Sequence, residues 1–294
     1  MSEMSNILEI VLKHKNLKEI MDDEKKSEEY LMKRSAEEDN PYELPKIKYH
    51  TKVKVKEMFG CPVVIFNESI NAEHIILYLH GGAYVNEIDL IHISFCDRLA
   101  KKTDATVFAP IYPLAPNHTY DETYPLVENL YDLILKFEKP FTIMGDSAGG
   151  GLSAAFCEYL ATKELTQPDN LILISPWVDV SMSGDYEDYK DLDPMLGTVA
   201  LQKAGEAWVG DLDSKDYKVS PLFGDVEKLP STTIFLGTDE VLYPDIMKFY
   251  NKLKENGVDV KLIVGEKLPH VYPIFPGIPE SKEAFNQIVE ILLD

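Results

Sequence analysis

A serine framed by glycines, Gly145-Asp146-Ser147-Ala148-Gly149, follows a short apolar run and precedes an Ala-rich stretch. The G-x-S-x-G pattern alone is a weak signal, because so short a motif recurs by chance. Its setting is more informative. A strand that turns sharply into a helix needs small residues on both sides of the turn. It also lifts the serine hydroxyl to where the helix N-terminus offers free N–H groups and the positive end of its dipole. That placement suits a nucleophile for acyl transfer. A second stretch, His80-Gly81-Gly82-Ala83-Tyr84, follows the apolar run Ile75–Leu79. Two adjacent glycines let the backbone approach a substrate and aim amides at a developing oxyanion. His80 is expected to brace this loop by hydrogen bonds rather than act as a base.

A base and an acid complete such a site. Among the histidines, His14, His50, His74, His92 and His118 fall in helices, strands or loops where surface or structural roles are expected. His270, in Leu268-Pro269-His270-Val271-Tyr272, follows the last apolar strand pattern, where the chain order serine, acid, histidine places the base. Asp239 and Glu240 are adjacent after the apolar run at 232–236, and either can orient an imidazole. Asp245 lies near them but beyond Pro244 and an expected helix start.

The elements that must position these groups can be read from periodicity. Alternation in Lys52-Val53-Lys54-Val55-Lys56 predicts a half-buried strand, Gly60-Cys61-Pro62 a turn, and 63–66 a second strand. Continuous apolar runs at 75–79, 106–109, 141–144, 171–174, 232–236 and 260–264 predict strands buried on both faces. Helical stretches are expected near 89–102, 122–138, 148–164, 244–256 and 280–293. This alternation argues for an α/β fold with a mostly parallel sheet and an antiparallel edge. Residues 181–215 interrupt the rhythm as an insertion carrying a helix at Thr198–Val209. Residues 3–35 place Ile7, Ile10, Val11, Leu17 and Ile20 at near-helical spacing, an amphipathic segment suited to a lid.

Composition narrows the function classes. The 294 residues are 45% hydrophobic and 27% charged, ordinary for a globular chain that can bury a sizeable core. Fifty acidic residues against 29 basic ones give a formal charge of −21. Such a surface repels phosphate backbones and anionic headgroups, which argues against nucleic-acid and membrane partners. Cys61, Cys96 and Cys157 form neither a disulfide framework nor a zinc spacing and suit a reducing compartment. No signal peptide or transmembrane run is read, so the expected location is cytoplasmic.

Taken with His80–Tyr84 and Gly145–Gly150, the segments at 175–177 (SPW), 193–196 (DPML), 220–225 (SPLFGD), 237–245 (GTDEVLYPD) and 269–273 (PHVYP) make residues 50–294 resemble the hormone-sensitive-lipase family of α/β-hydrolase carboxylesterases. The resemblance implies an eight-stranded, mostly parallel sheet flanked by helices. It implies a cap formed by residues 1–45 and the insertion, over a catalytic domain at 46–294. It implies oxyanion donors at the amides of Gly81, Gly82 and Ala148, no cofactor, no metal, and a small-molecule ester as substrate, with activity on short acyl chains. A homodimer follows only by analogy with relatives. Two departures stand out: Ala83 where a third glycine is usual, and Gly151 where an Asn is usual.

The acid stays open between two anchors. The acid-x-Leu pattern of many relatives selects Glu240, two residues before Leu242, whereas counting from the glycine in the commoner Asp form selects Asp239. Glu240 is the expected acid, and Asp239, the alternative, would then cap the following helix. Tyr84, Trp177 and Leu196 are candidates for the substrate pocket. The expected reaction is ester hydrolysis through an acyl-enzyme on Ser147. An amidase or arylformamidase on the same triad is the nearest rival, followed by a non-catalytic ligand-binding relative and an interface-activated lipase.

Overall fold

A computed structural model describes Lys18 and residues 21–36 and 42–294. The apolar positions Ile7, Ile10, Val11, Leu17 and Ile20 lie outside the described residues. Helix α1 (Glu24–Ala36) precedes the sheet. The strands β1 (Val53–Met58) and β2 (Cys61–Phe66) form an antiparallel hairpin. Its turn is one residue earlier than the sequence suggests. Phe59 and Gly60 have φ of 55° and 82°, and two consecutive positive φ values match the twist of a two-residue hairpin.

From there strand and helix alternate: β3 (Ile75–Leu79), α2 (Leu90–Thr103), β4 (Thr106–Pro110), α3 (Tyr120–Leu135), β5 (Phe141–Asp146), α4 (Ser147–Thr162) and β6 (Asn170–Ile174). After an insertion carrying α5 (Thr198–Val209) come β7 (Ser231–Asp239), α6 (Tyr243–Glu255), β8 (Val260–Pro269) and α7 (Pro279–Leu293). The eight strands form one sheet in the order β1-β2-β4-β3-β5-β6-β7-β8, parallel throughout except where β2 meets its two neighbours.

The apolar runs divide by the strand period of two. On β3, Ile75, Leu77 and Leu79 enter one core cluster and Ile76 and Tyr78 the other. The first cluster includes Leu130 of α3, Leu152 of α4 and Phe249 of α6, and the second includes Phe95 of α2 and Phe285 of α7. Each face of the sheet is therefore covered by helices, which is why the strands show no polar alternation.

The start of α4 runs against helix propensity, with Gly149, Gly150 and Gly151 in succession, each costing about 1 kcal/mol relative to Ala. Close approach explains two of them. A Cβ at Gly149 would overlap the Leu79 carbonyl oxygen, and one at Gly151 would overlap that of Trp177. Gly151, unexplained in the sequence, is thus where α4 rests on the chain leaving β6. Gly151→Ala is expected to destabilise the protein by about 1–3 kcal/mol despite the propensity gain, because overpacking against backbone outweighs it. A urea titration measures the difference.

Both β7 and β8 run further than their apolar cores suggest, to Asp239 and Pro269, with a register shift between Gly237 and Asp239. The segment after Val264 reads as loop; it bulges, with Lys267 left-handed at φ 58°, between the pairs Gly237–Gly265 and Asp239–Pro269 that keep it on the sheet. Above the sheet, α1 meets the insertion. Lys203 of α5 pairs with Glu24 and Glu28 at 3.2 and 2.8 Å, and the Lys18 ammonium donates to the carbonyl of Leu196 at 2.9 Å. On the other side, the Tyr30 hydroxyl bonds Asn86, and the Arg34 guanidinium donates to the Val85 carbonyl at 3.2 Å.

Candidate active site

Ser147 occupies the junction of β5 and α4 with φ 50°, a left-handed conformation that a sharp strand-to-helix turn imposes. Its Oγ lies 2.9 Å from His270 Nε2. The other ring nitrogen, Nδ1, lies 2.5 Å from Glu240 Oε2, and Glu240 Oε1 accepts the Gly237 amide at 3.1 Å. A carboxylate beside Nδ1 places the ring proton there and leaves the Nε2 lone pair for the serine hydroxyl. The register explains the meeting. Glu240 and His270 are the first residues beyond the paired ends of β7 and β8, where Asp239 sits opposite Pro269. Glu240 is fully buried and His270 is 2% exposed, while Ser147 at 7% reaches the cavity. Burial pulls the His270 pKa down, but the Glu240 bond and charge, with Asp193 and Asp146 adding, raise it above 6.5.

Asp239 is half-buried and points elsewhere, accepting from the Thr238 hydroxyl at 3.1 Å. It does not cap the next helix, since Leu242 holds that position with no side-chain cap bond. Asp245 bonds Tyr186 and Lys248 instead.

Two polar residues that received no role from the sequence support this corner. The buried Asp193 accepts the Val241 amide at 2.9 Å with one oxygen and the Met195 and Leu196 amides at 2.7 and 2.9 Å with the other. It thereby ties the insertion to the residue after Glu240. Ser175 hydrogen-bonds Glu240 and accepts the Val271 amide at 3.0 Å. Both belong to quoted motifs, DPML and SPW, which was the available signal.

The loop after β3 is strained. Gly82, Ala83 and Tyr84 have φ of 122°, 55° and 60°, so the backbone bends back three residues in a row. His80 donates from Nδ1 to the Gly81 carbonyl at 2.7 Å, and its own carbonyl accepts the Tyr112 hydroxyl at 2.5 Å. Burial, helped by nearby His92, lowers the His80 pKa to about 4, so this ring is neutral. The Gly81 amide donates to Asp146 Oδ1 at 3.0 Å. This corrects its expected place as an oxyanion donor, since one N–H is already engaged within the protein. Gly82 and Ala83 do line the cavity beside Ser147.

That cavity has a volume of about 410 Å³, within the range of small-ligand sites. Tyr30 and Leu31 of α1 and Leu196 and Ala200 of the insertion form its outer wall. Tyr84 and Trp177, expected in the pocket with Leu196, are instead core. Tyr84 stacks on Trp208 with centroids 4.3 Å apart and on Trp177 at 5.6 Å, all three within 1% of full burial. The positive φ at Tyr84 turns its ring inward, away from the cavity.

A helix-covered, mostly parallel sheet with a serine at a strand–helix elbow, hydrogen-bonded to a histidine that in turn bonds a carboxylate, defines an α/β hydrolase. A family model described as alpha/beta hydrolase fold matches residues 76–274. An esterase of Acinetobacter venetianus is 30% identical over 226 residues, covering 75% of each chain. An acetyl-hydrolase of Streptomyces hygroscopicus is 28% identical, covering 72% of each. The crystal structure of an esterase from the bacterial hormone-sensitive lipase family superposes with a TM-score of 0.80 at 25% identity, covering 97% of each chain. The chain belongs to the hormone-sensitive-lipase family of α/β hydrolases, and its class is carboxylic ester hydrolase. Among the described residues, no helix is long and apolar enough to cross a membrane.

Proposed function

We propose that this protein cleaves short-chain acyl esters by covalent catalysis on Ser147. The observation that carries the reading is the unbroken hydrogen-bond chain from Ser147 through His270 to Glu240, opening into the cavity. His270 Nε2 takes the Ser147 proton as Oγ attacks the ester carbonyl, and the imidazolium that forms is stabilised by Glu240. The oxyanion accepts from the amides of Gly82 and Ala148, with Ala83 in the place first expected for Gly81. The Ala148 amide is suited to this, since the first turn of a helix has no carbonyl partner for its amides. Collapse breaks the ester bond, and His270 returns the proton to the leaving alcohol. Water, deprotonated by His270, then attacks the acyl-Ser147 carbonyl, and the acid leaves with the serine proton restored.

Residues 1–45 and the insertion near 181–215 are read as a cap over the catalytic domain, because α1 and α5 are bridged by Lys203 and share the cavity wall. The limited volume beneath them supports small acyl groups, as does the similarity to an acetyl-hydrolase. The acidic surface and scattered cysteines support a cytoplasmic setting without a nucleic-acid partner.

The test is an aryl ester series from acetyl to long acyl chains, with an aryl amide beside it, run on the wild type and on Ser147→Ala. Hydrolysis should peak at short chains and vanish in the variant; a preference for long chains or for the amide would refute this substrate reading. Leu196→Ala should enlarge the cavity and raise kcat/KM for longer acyl chains relative to acetyl by about tenfold, the worth of one or two methylenes in an apolar pocket. The same ester series measures it.

A further inference from the structure

Below the loop after β3 lies a second charged network that the steps above do not use, buried at His92 and Asp146 and open to solvent at Asp89. His92, in the first turn of α2, has Nδ1 2.7 Å from Asp89 Oδ1 and Nε2 3.1 Å from Asp146 Oδ2. Asp89 Oδ1 already accepts the amides of Ile91 and His92 at 2.8 and 3.1 Å, as an ionised N-cap does. Asp146 Oδ1 accepts the Tyr78 hydroxyl at 2.6 Å and the Gly81 amide at 3.0 Å. The Asp89 amide also lies 3.2 Å from Nδ1, but the carboxylate oxygen is nearer at 2.7 Å and, being ionised, only accepts. The shorter contact therefore puts a hydrogen on Nδ1, as the Asp146 contact does on Nε2, and a ring with two N–H groups is an imidazolium. Burial opposes that charge, yet Asp146 and Asp89 outweigh it and raise the His92 pKa to about 10. The rings beside it are Tyr78 and neutral His80, with centroids 6.5 and 6.0 Å away.

The consequence falls on Asp146, which immediately precedes the nucleophile and is 2% exposed. Three elements hold its carboxylate: β3 through Tyr78, the glycine loop through Gly81, and α2 through His92. The contact with Gly81 is close enough that a Cβ there would overlap the Asp146 carboxylate. Without His92, the second oxygen would be buried with no cation, and a buried charge without a partner reorients or takes up a proton. Either response weakens the grip on the Gly81 amide, and the next two amides in the chain are those of Gly82 and Ala83.

We propose that His92 is a positioning residue: as an imidazolium clamped between Asp89 and Asp146, it holds the Asp146 carboxylate and, through Gly81, sets the Gly82 and Ala83 amides for the oxyanion. The inference rests on the reading of Ser147 as nucleophile. Its effect belongs to the transition state, because oxyanion donors act on charge that the ground-state ester lacks.

The experiment compares wild type, His92→Phe and His92→Gln by kcat and KM on an aryl acetate and by inhibition with an alkyl trifluoromethyl ketone, which a serine nucleophile converts to a tetrahedral anion. His92→Phe should lower kcat by about 100-fold, with KM within about threefold and ketone affinity falling in step with kcat. His92→Gln, which keeps one donor for Asp146, should recover part of both. Wild-type kcat and ketone affinity in His92→Phe would overturn the proposal, as would a loss confined to KM. Independently of any variant, NMR of the imidazole nitrogens in the wild type at neutral pH should show both His92 nitrogens protonated, and a neutral ring would overturn it even if the variants do not fold. Activity surviving in Ser147→Ala would sink the nucleophile reading instead, while the NMR result would still decide the state of His92.

Discussion

Ser147→Ala should lower kcat by about 10⁴–10⁶-fold and leave the fold intact. The size follows from the proposed covalent catalysis: without Oγ no acyl-enzyme can form, and only binding and the oxyanion amides would act on the ester. The fold should survive because the hydroxyl's contact is with His270 at 2.9 Å rather than with the core. Alanine also keeps the β-carbon already accommodated at the left-handed turn. Steady-state kinetics with a circular dichroism spectrum check both halves. A serine-directed organophosphate should add once to the wild type, at Ser147, and not to the variant, as read by intact-mass and peptide mass spectrometry. Undiminished turnover in the variant would end the proposed mechanism.

Glu240→Gln should lower kcat by about 10²–10⁴-fold, while Asp239→Asn should leave it nearly unchanged. The glutamine oxygen can still accept from His270 Nδ1, so geometry persists while the charge is lost. The pH profile separates charge from geometry. In the proposed mechanism His270 can act as a base only when neutral, so kcat/KM should fall as pH drops through its pKa. Burial lowers that pKa, but Glu240 raises it further, so the wild-type acid limb should lie above the usual histidine value of 6.5. Removing the negative charge leaves burial less opposed, and the limb should move to lower pH in Glu240→Gln. It should stay in place in Asp239→Asn, whose side chain bonds Thr238. A reversed ranking of the two variants would transfer the role to Asp239.

Much of this architecture is legible in the residues. The runs around Ile75–Leu79 and 141–144 mark buried strands because a sheet covered on both faces leaves no polar alternation. The insertion helix has the bounds Thr198–Val209 that its pattern suggests. The strand ends were harder to read. Residues 265–269 carry no strand signature, and pairing with β7 at Gly265 and Pro269 keeps them on the sheet across a bulge. That pairing is what carries His270 to the level of Ser147.

By itself the sequence determined the elbow serine, the loop histidine and the order of strands and helices, because these follow from contacts within a few residues or from a period along the chain. Tertiary structure decided what depends on direction. Glu240 and Asp239 are neighbours in the chain, but the register shift at the end of β7 buries the first against His270 and leaves the second beside Thr238. Three left-handed residues turn Tyr84 into the core, where an extended loop would have offered it to the cavity. The Gly81 amide, one of a pair by motif, is drawn to a carboxylate 65 positions away, and that carboxylate is held by His92, a residue with no signature of its own. Gly151 makes sense only beside the Trp177 carbonyl. Each of these turns on how closely two distant segments approach, a distance set by the packed layers as a whole and written in no local pattern.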